Sequence, residues 1–292
     1  MNKLAIITGA NTGLGYETAK ALLMEGYDVL MANRSAEKSR KAVARLMKLG
    51  CPGTIDYALL DLEDRQSIRA FVDGFKTRYG RFDVLVNNAG ILLPEMKRSS
   101  NDLELHFDIN YLGHFLLNSL LLRYMRADGL VVSVSSLAHK MEIADIHFDD
   151  LSFDRQDYAK MKAYSQSKLA MALYGVELAR RFDGGEKRSL IAHPGVSNTD
   201  IIASHVPLFL SRMLMPVVRL FGITGPAEGA RPIIHAILTE GLPNGAYIGP
   251  CGRKEWNGKP GICSLSEKAL DEPTAIRLWR KSEELLDIEF EV

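Results

Sequence analysis

Cysteine is scarce in this chain of 292 residues, which has only Cys51, Cys251 and Cys263. An odd number without metal-ligand spacing argues against a disulfide framework and a cysteine metal centre. Free thiols in a reducing compartment are the simple expectation, with no metal site. An excess of one charge is also missing, because Lys plus Arg and Asp plus Glu number 36 each. A nucleic-acid-binding surface would show as a basic excess, so no nucleic-acid partner is expected. No apolar run is long enough to span a bilayer. The first apolar strand starts near Lys3 and leaves no room for a signal peptide. A cytoplasmic location follows as an expectation. Internal repeats, low-complexity tracts and linkers are absent too.

What remains is an ordinary globular composition, 47% hydrophobic and 25% charged, in a chain long enough for one large core. Near-continuous apolar runs predict strands at Lys3–Thr8, Asp28–Ala32, Thr54–Leu59, Phe82–Asn87, Gly129–Ser135, Ser189–His193 and Ala246–Ile248. Such runs suit strands covered on both faces. Helical patterns alternate with them at Gly13–Glu25, Ala36–Leu49, Arg65–Tyr79, Leu103–Met125 and Tyr164–Arg181. This alternation predicts an α/β fold, a doubly wound parallel sheet with helices on both faces. One domain over residues 1–292 is the economical reading. From Gly249 onward periodicity is weak until Pro273–Ile288, which looks helical.

The strongest local signal is the turn Thr8-Gly9-Ala10-Asn11-Thr12-Gly13-Leu14-Gly15 between the first strand and the first helix. Helix N-terminal amides and the positive end of the macrodipole stabilise an anion there. Glycine lets a diphosphate approach the backbone without an intervening Cβ. The spacing is neither G-x-G-x-x-G nor a P-loop, so by itself the turn leaves a nucleotide site and a plain tight turn both open.

Further signals stand at strand ends, where open α/β sheets place ligands. Asp61-Leu62 follows the third strand, and Asn87-Asn88-Ala89-Gly90 closes the fourth. Asn110 lies in the next helix and Ser135 ends the fifth strand. Tyr164-Ser165-Gln166-Ser167-Lys168 opens a helix, and Pro194-Gly195, with Thr199 beyond, follows the sixth strand. With this set the chain resembles the short-chain dehydrogenase/reductase family from Lys3 to about Thr199. The resemblance implies a Rossmann-type fold and a nicotinamide cofactor. It implies catalytic roles for Asn110, Ser135, Tyr164 and Lys168. It also implies cofactor contacts at Gly9, Asn11, Gly13, Leu14, Gly15, Arg34, Asp61, Leu62, Asn88, Ala89, Gly90, Tyr164, Lys168, Pro194, Gly195, Val196 and Thr199.

Tyr-x-x-x-Lys is a common helix pair and occurs three times, as Tyr16/Lys20, Tyr158/Lys162 and Tyr164/Lys168. Context selects the third, which has hydroxyls at Ser165 and Ser167 and an apolar helix after it. A free phenol, with a pKa of about 10, is a poor base near neutrality. A lysine ammonium one turn away favours the phenolate. Tyr164 would then exchange a proton with an alcohol or carbonyl, Ser135 would hydrogen-bond the reacting oxygen, and the resemblance gives Asn110 a water-linked proton relay to Lys168.

Cofactor choice is read at the end of the second strand. NAD-preferring relatives carry an acidic residue about where Asn33 stands. Here Arg34 follows directly, and a guanidinium binds a 2′-phosphate by charge-assisted hydrogen bonds. NADP(H) is therefore expected, although Thr12 stands where many NADP-dependent relatives have Lys or Arg. Asp61 would hold the adenine amino group, with Leu62 beside the ring.

Ser135 and Tyr164 are further apart than in the family's simplest members. With the extra segment, His139 to Tyr158, the opening Thr8-Gly9-Ala10-Asn11-Thr12-Gly13 and the Asn33-Arg34 after the second strand, the chain resembles the retinol-dehydrogenase-like branch. His139 and His147 read as solvated or capping residues, and Cys251 and Cys263 as packing ones. The apolar segment Ile201–Gly222 reads first as a substrate lid, then as core, then as a peripheral membrane contact. The expected activity is hydride transfer between NADP(H) and a small apolar carbonyl or alcohol. An epimerase or dehydratase that retains its cofactor, or an NADP(H)-binding sensor or scaffold, are the other readings. Relatives are often homodimers or homotetramers, and the extra segment falls where it would disturb their contact.

Overall fold

The computed structural model describes residues 2–196 and 224–292. Their strands form one sheet, built from β1 (Leu4–Thr8), β2 (Asp28–Asn33), β3 (Ile55–Leu59), β4 (Phe82–Asn87), β5 (Met125–Val134), β6 (Arg188–Ala192), β7 (Tyr247–Pro250) and β8 (Pro260–Cys263). The spatial order is β3-β2-β1-β4-β5-β6-β7-β8. The chain runs outward from β1 in one direction and then from β4 in the other, so a crevice opens above the ends of these two strands.

Each strand serves both faces because successive side chains point to opposite sides. In β1, Ala5 and Ile7 join one core cluster and Ile6 the other. The first cluster also takes residues of α1 (Gly13–Met24) and α2 (Ala36–Met47), and of the helix Arg231–Leu238. The second takes residues of α3 (Arg65–Arg78) and of the C-terminal helix Glu272–Leu286. In that last helix Trp279 is 1% exposed, stacked on Tyr174 and Phe290 and edge-on to Phe115.

The doubly wound sheet is as expected, its strands β1 to β7 parallel, with β8 added antiparallel at the edge beside β7. A four-residue Pro-Gly-Ile-Cys edge strand carries no periodicity that could reveal it. Two helix boundaries need correction. The expected helix Leu103–Met125 is broken into α4 (Leu105–Phe107), a π turn (Asp108–Leu112), α5 (Gly113–Leu121) and a 3₁₀ turn (Leu122–Tyr124). Met125 already begins β5 by pairing with Phe82, before a shift of register. The helix carrying Tyr164 begins at Lys160, so α6 spans Lys160–Arg181. Its N-cap, Ala159, offers no side-chain hydrogen bond, hence no start signal in the sequence.

The extra segment before α6 folds back onto that helix. Ile146, Leu151 and Phe153 are buried in it. Gln166 of α6 accepts the His147 amide at 3.0 Å and donates to the Leu151 carbonyl at 3.0 Å. The Ile201–Gly222 segment and Thr199 lie outside the described residues. Among the described residues, no helix is long and apolar enough to cross a membrane.

Candidate active site

The glycine turn forms one wall of a crevice of about 700 Å3 at the β1/β4 divide. Gly9 and Gly13 have φ of +66° and +60°, which suit glycine. A Cβ on Gly15 would stand 2.6 Å from Asn88 Nδ2 and 2.7 Å from the Gly9 carbonyl oxygen. The absent methyl groups are thus what lets turn, helix and Asn88 meet. Thr12 is the N-cap of α1 but makes no side-chain cap bond, and the first turn holds no acidic residue. The first amides of α1 therefore lack a side-chain acceptor and face the crevice, an arrangement that fits a diphosphate. Asn11 and Leu14 line the same wall.

The opposite wall is held by Thr8, whose Oγ1 accepts the amides of Asn88 and Ala89, each at 2.9 Å. Asn88 Nδ2 donates back to the Thr8 carbonyl at 2.7 Å. Gly90 follows, and a Cβ there would lie 3.2 Å from Asn110 Oδ1 and 3.5 Å from Lys168 Nζ. Asn110 Oδ1 accepts the Ile91 amide at 2.7 Å, while Nδ2 donates to the Ile91 carbonyl at 3.1 Å and to Ser167 Oγ at 3.0 Å. Asn110 sits in the π turn and is fully buried.

Tyr164 and Lys168 share one face of α6, with the lysine Nζ 5.8 Å from the tyrosine ring centroid. Lys168 Nζ also donates to the Val134 carbonyl at 3.1 Å. Ser135 lines the crevice beside them, but its hydroxyl donates to the Lys168 carbonyl at 2.8 Å. In this geometry Ser135 Oγ can accept from a substrate hydroxyl, and must rotate to donate to a substrate carbonyl. The other two Tyr/Lys pairs are elsewhere. The Tyr16 ring packs under Arg45. The Tyr158 hydroxyl is buried without a hydrogen-bond partner and its pKa is pushed up to about 12, chiefly by burial.

At the far end of the crevice Arg34 is exposed and, among the described residues, has no acidic partner. Asn33 is buried and donates to Ser39 Oγ at 3.1 Å. Lys38, one turn into α2, lines the same end and was not signalled by the sequence. Asp61 and Leu62 line the crevice above β3. Beyond β6, Pro194 lines the crevice, Gly195 has φ +74°, and the Val196 amide donates to the Trp256 carbonyl at 3.0 Å.

Four histidines around the site are buried without a signature in the sequence. His139 is not solvated, and its Nε2 accepts the amide of Ser266 at 3.4 Å. It is 1% exposed, hydrogen-bonded to the Ser136 carbonyl, and burial pushes its pKa down to about 4. His106 touches Tyr164 edge-on, with ring centroids 6.1 Å apart. Its Nε2 accepts the Leu93 amide at 2.9 Å, so Nδ1 carries the proton toward Glu104 at 2.6 Å. His193, with Glu255 and Cys263, brings three potential donor atoms within 4.8 Å of one another. Its Nδ1 accepts the Gly195 amide, which puts the proton on Nε2 facing Glu255 and leaves no lone pair there for a cation. Both Glu255 oxygens are also taken by Lys140, at 2.8 and 2.7 Å. Cys251 is exposed rather than packed, while burial and the Glu255 charge push the Cys263 thiol up to about 12. His114 is the fourth.

Comparison with known proteins agrees with this architecture. A family model for short chain dehydrogenases matches residues 3–147. Retinol dehydrogenase 12 of Homo sapiens is 36% identical over 99% of this chain and 88% of its own length. Retinol dehydrogenase 14 of Mus musculus is 36% identical over 98% of this chain and 86% of its own. Among solved structures, an uncharacterized protein from Mycobacterium paratuberculosis superposes with a TM-score of 0.80 at 34% identity, covering 99% of this chain and 95% of that one. A short chain dehydrogenase from Burkholderia cenocepacia J2315, in complex with NADP, gives a TM-score of 0.64 at 25% identity, covering 84% of this chain and 94% of that one.

Proposed function

Since the chain belongs to the short chain dehydrogenase family and is an oxidoreductase, we propose that it uses NADP(H) to interconvert an apolar carbonyl and its alcohol. The observation that carries the reading is the convergence of Tyr164, Lys168 and Ser135 on the crevice walled by the glycine turn. When bound, the nicotinamide supplies or accepts the hydride. Tyr164 is the acid/base at the substrate oxygen. Lys168 places a positive charge beside the phenol that gains or loses the proton, and Ser135 orients the substrate oxygen. Asn110 ties the Ile91 backbone to Ser167, and supports the proton path behind Tyr164.

Arg34, with Lys38 beside it, supports NADP(H) over NAD(H), because no carboxylate stands at Asn33 to repel a 2′-phosphate. The neighbour in complex with NADP supports the same choice. The name of the retinol dehydrogenases points to an apolar alcohol as the substrate class. The test is NADPH oxidation across a panel of apolar aldehydes and ketones. Tyr164→Phe is expected to abolish turnover while NADPH still binds. Full activity in that variant refutes the mechanism, and binding without turnover of any carbonyl refutes the enzyme reading.

A further inference from the structure

Beneath the floor of the crevice lies a set of fully buried polar side chains that the proposed chemistry does not use. Thr8, His114, Asn118 and Ser133 are 0% exposed and Asn87 is 1% exposed. Asn118 Nδ2 donates to the His114 carbonyl at 2.6 Å and to Asn87 Oδ1 at 3.0 Å. Asn87 Nδ2 reaches Ser133 Oγ at 3.4 Å. His114 occupies the centre. Its Nε2 is 3.0 Å from Thr8 Oγ1 and its Nδ1 is 3.2 Å from the Asn110 carbonyl oxygen.

The proton positions follow from counting. Burial pushes the His114 pKa down to about 3, so the ring is neutral and carries one proton. A carbonyl oxygen only accepts, so the proton facing it is on Nδ1. Nε2 is then bare and, at 3.0 Å, is the nearer acceptor of the single hydroxyl proton of Thr8, the other being the Val86 carbonyl oxygen at 3.3 Å. This leaves the Thr8 oxygen its two lone pairs, which receive the amides of Asn88 and Ala89. One ring therefore joins the crevice wall to the backbone of Asn110. That backbone belongs to a π turn, in which the Gly113 amide reaches back to Asp108. Such a turn disrupts the regular i+4 ladder and is often found at functional sites. The Nδ1–H of His114 ties it down.

We propose that His114 is a positioning residue with two separable functions: through Nε2 it fixes Thr8 and the Asn88–Ala89 wall for cofactor binding, and through Nδ1 it fixes the π turn that presents Asn110. The second function rests on the proposed oxidoreductase chemistry; the first does not.

The two ring nitrogens are tested separately. His114→Asn keeps a donor near the Nδ1 position but does not reach Thr8. His114→Gln extends to Thr8 but loses the placement at Asn110. In His114→Asn, NADPH affinity is expected to fall about tenfold, with kcat within about twofold, as for one buried hydrogen bond. In His114→Gln, kcat falls about tenfold and NADPH affinity stays within about twofold. Amide hydrogen exchange at Asn88 and Ala89, measured without nucleotide, accelerates in His114→Asn and not in His114→Gln. If both variants lose affinity and turnover equally, or neither loses either, the proposal is overturned. Were no carbonyl reduced even by the native protein, the oxidoreductase reading fails alone, because the exchange pattern still decides the link to Thr8.

Discussion

Replacing Gly15 by alanine sets two effects against each other, and the structure decides between them. In a helix interior alanine is favoured over glycine by about 1 kcal/mol. The added methyl would stand 2.6 Å from Asn88 Nδ2 and 2.7 Å from the Gly9 carbonyl oxygen, where ordinary contact begins at 3.4 Å. Neither neighbour yields cheaply. Asn88 Nδ2 is held by the Thr8 carbonyl at 2.7 Å, and the Gly9 oxygen is backbone. Overpacking of this kind costs about 1–3 kcal/mol, so the net loss of stability is between zero and about 2 kcal/mol and the protein still folds. The larger effect falls on the cofactor, because the turn has to open where the diphosphate is to sit. One or two misplaced charge-assisted hydrogen bonds, at about 1.5–3 kcal/mol each, weaken NADPH at least tenfold. Gly74 in α3 is the matched control, with nothing within 4 Å of an added Cβ. Gly74→Ala is expected to raise stability by about 1 kcal/mol and leave NADPH affinity unchanged. Urea unfolding and NADPH fluorescence titration measure both quantities. Unchanged NADPH affinity in folded Gly15→Ala refutes the assignment of this turn as the diphosphate cradle.

Arg34→Ala is expected to weaken NADPH by about 10-fold, a modest loss because the side chain is exposed and screened, while NADH changes by less than about twofold; equal losses show that Arg34 does not read a phosphate. Stability is expected to fall with acid well before carboxylates titrate. The pKa values of His114, His139 and His193 are lowered to about 3, 4 and 3 in the fold, below about 6.5 when unfolded. The unfolded chain then binds more protons, so the stability is fully present above about pH 6.5 and is lost as pH falls toward 4 and 3, by about 2 kcal/mol per histidine already at pH 5. Unfolding free energies at pH 7.5 and pH 5 check this, and equal values at the two contradict the burial of neutral rings.

The candidate site is legible where short motifs stand beside strand ends. Gly9, Gly13, Gly15, Asn88 and Gly90 are adjacent to apolar runs that could hardly be anything but strands, and the crevice lies where those strands end. The Tyr164/Lys168 pair is selected from three by its neighbours and by a distance to Pro194-Gly195 similar to the family's; it lines the crevice, whereas Tyr16 packs under Arg45 and Lys162 lies over the ring of Phe153. The misses at the site have two physical causes. Helical periodicity reports which face is apolar, not how the hydrogen-bond ladder is threaded, so the π turn at Asp108–Leu112 was invisible inside a continuous helical pattern. An isolated histidine likewise carries no sign of whether its ring meets water or a carbonyl. The burial of His139, His106, His114 and His193 therefore has no signature in the sequence.

Those buried rings alter how the crevice is understood. A cradle built from glycines and backbone amides is soft, because nothing in a glycine turn resists displacement except its neighbours. Here the neighbours are hydrogen-bonded to one another across elements remote in sequence: Thr8 to Asn88, His114 to Thr8 and Asn110, and Asn110 to Ile91 and Ser167. A partly satisfied buried network would be costlier than an apolar one. Each of these links has a donor matched to an acceptor, which holds the cofactor wall and the Tyr164–Lys168 helix in one register before any ligand arrives. Preorganisation of that kind converts binding energy at one end of the crevice into geometry at the other. It follows that substitutions in this buried layer, which touch neither nucleotide nor substrate, should disturb binding and turnover in separable proportions set by which link is cut.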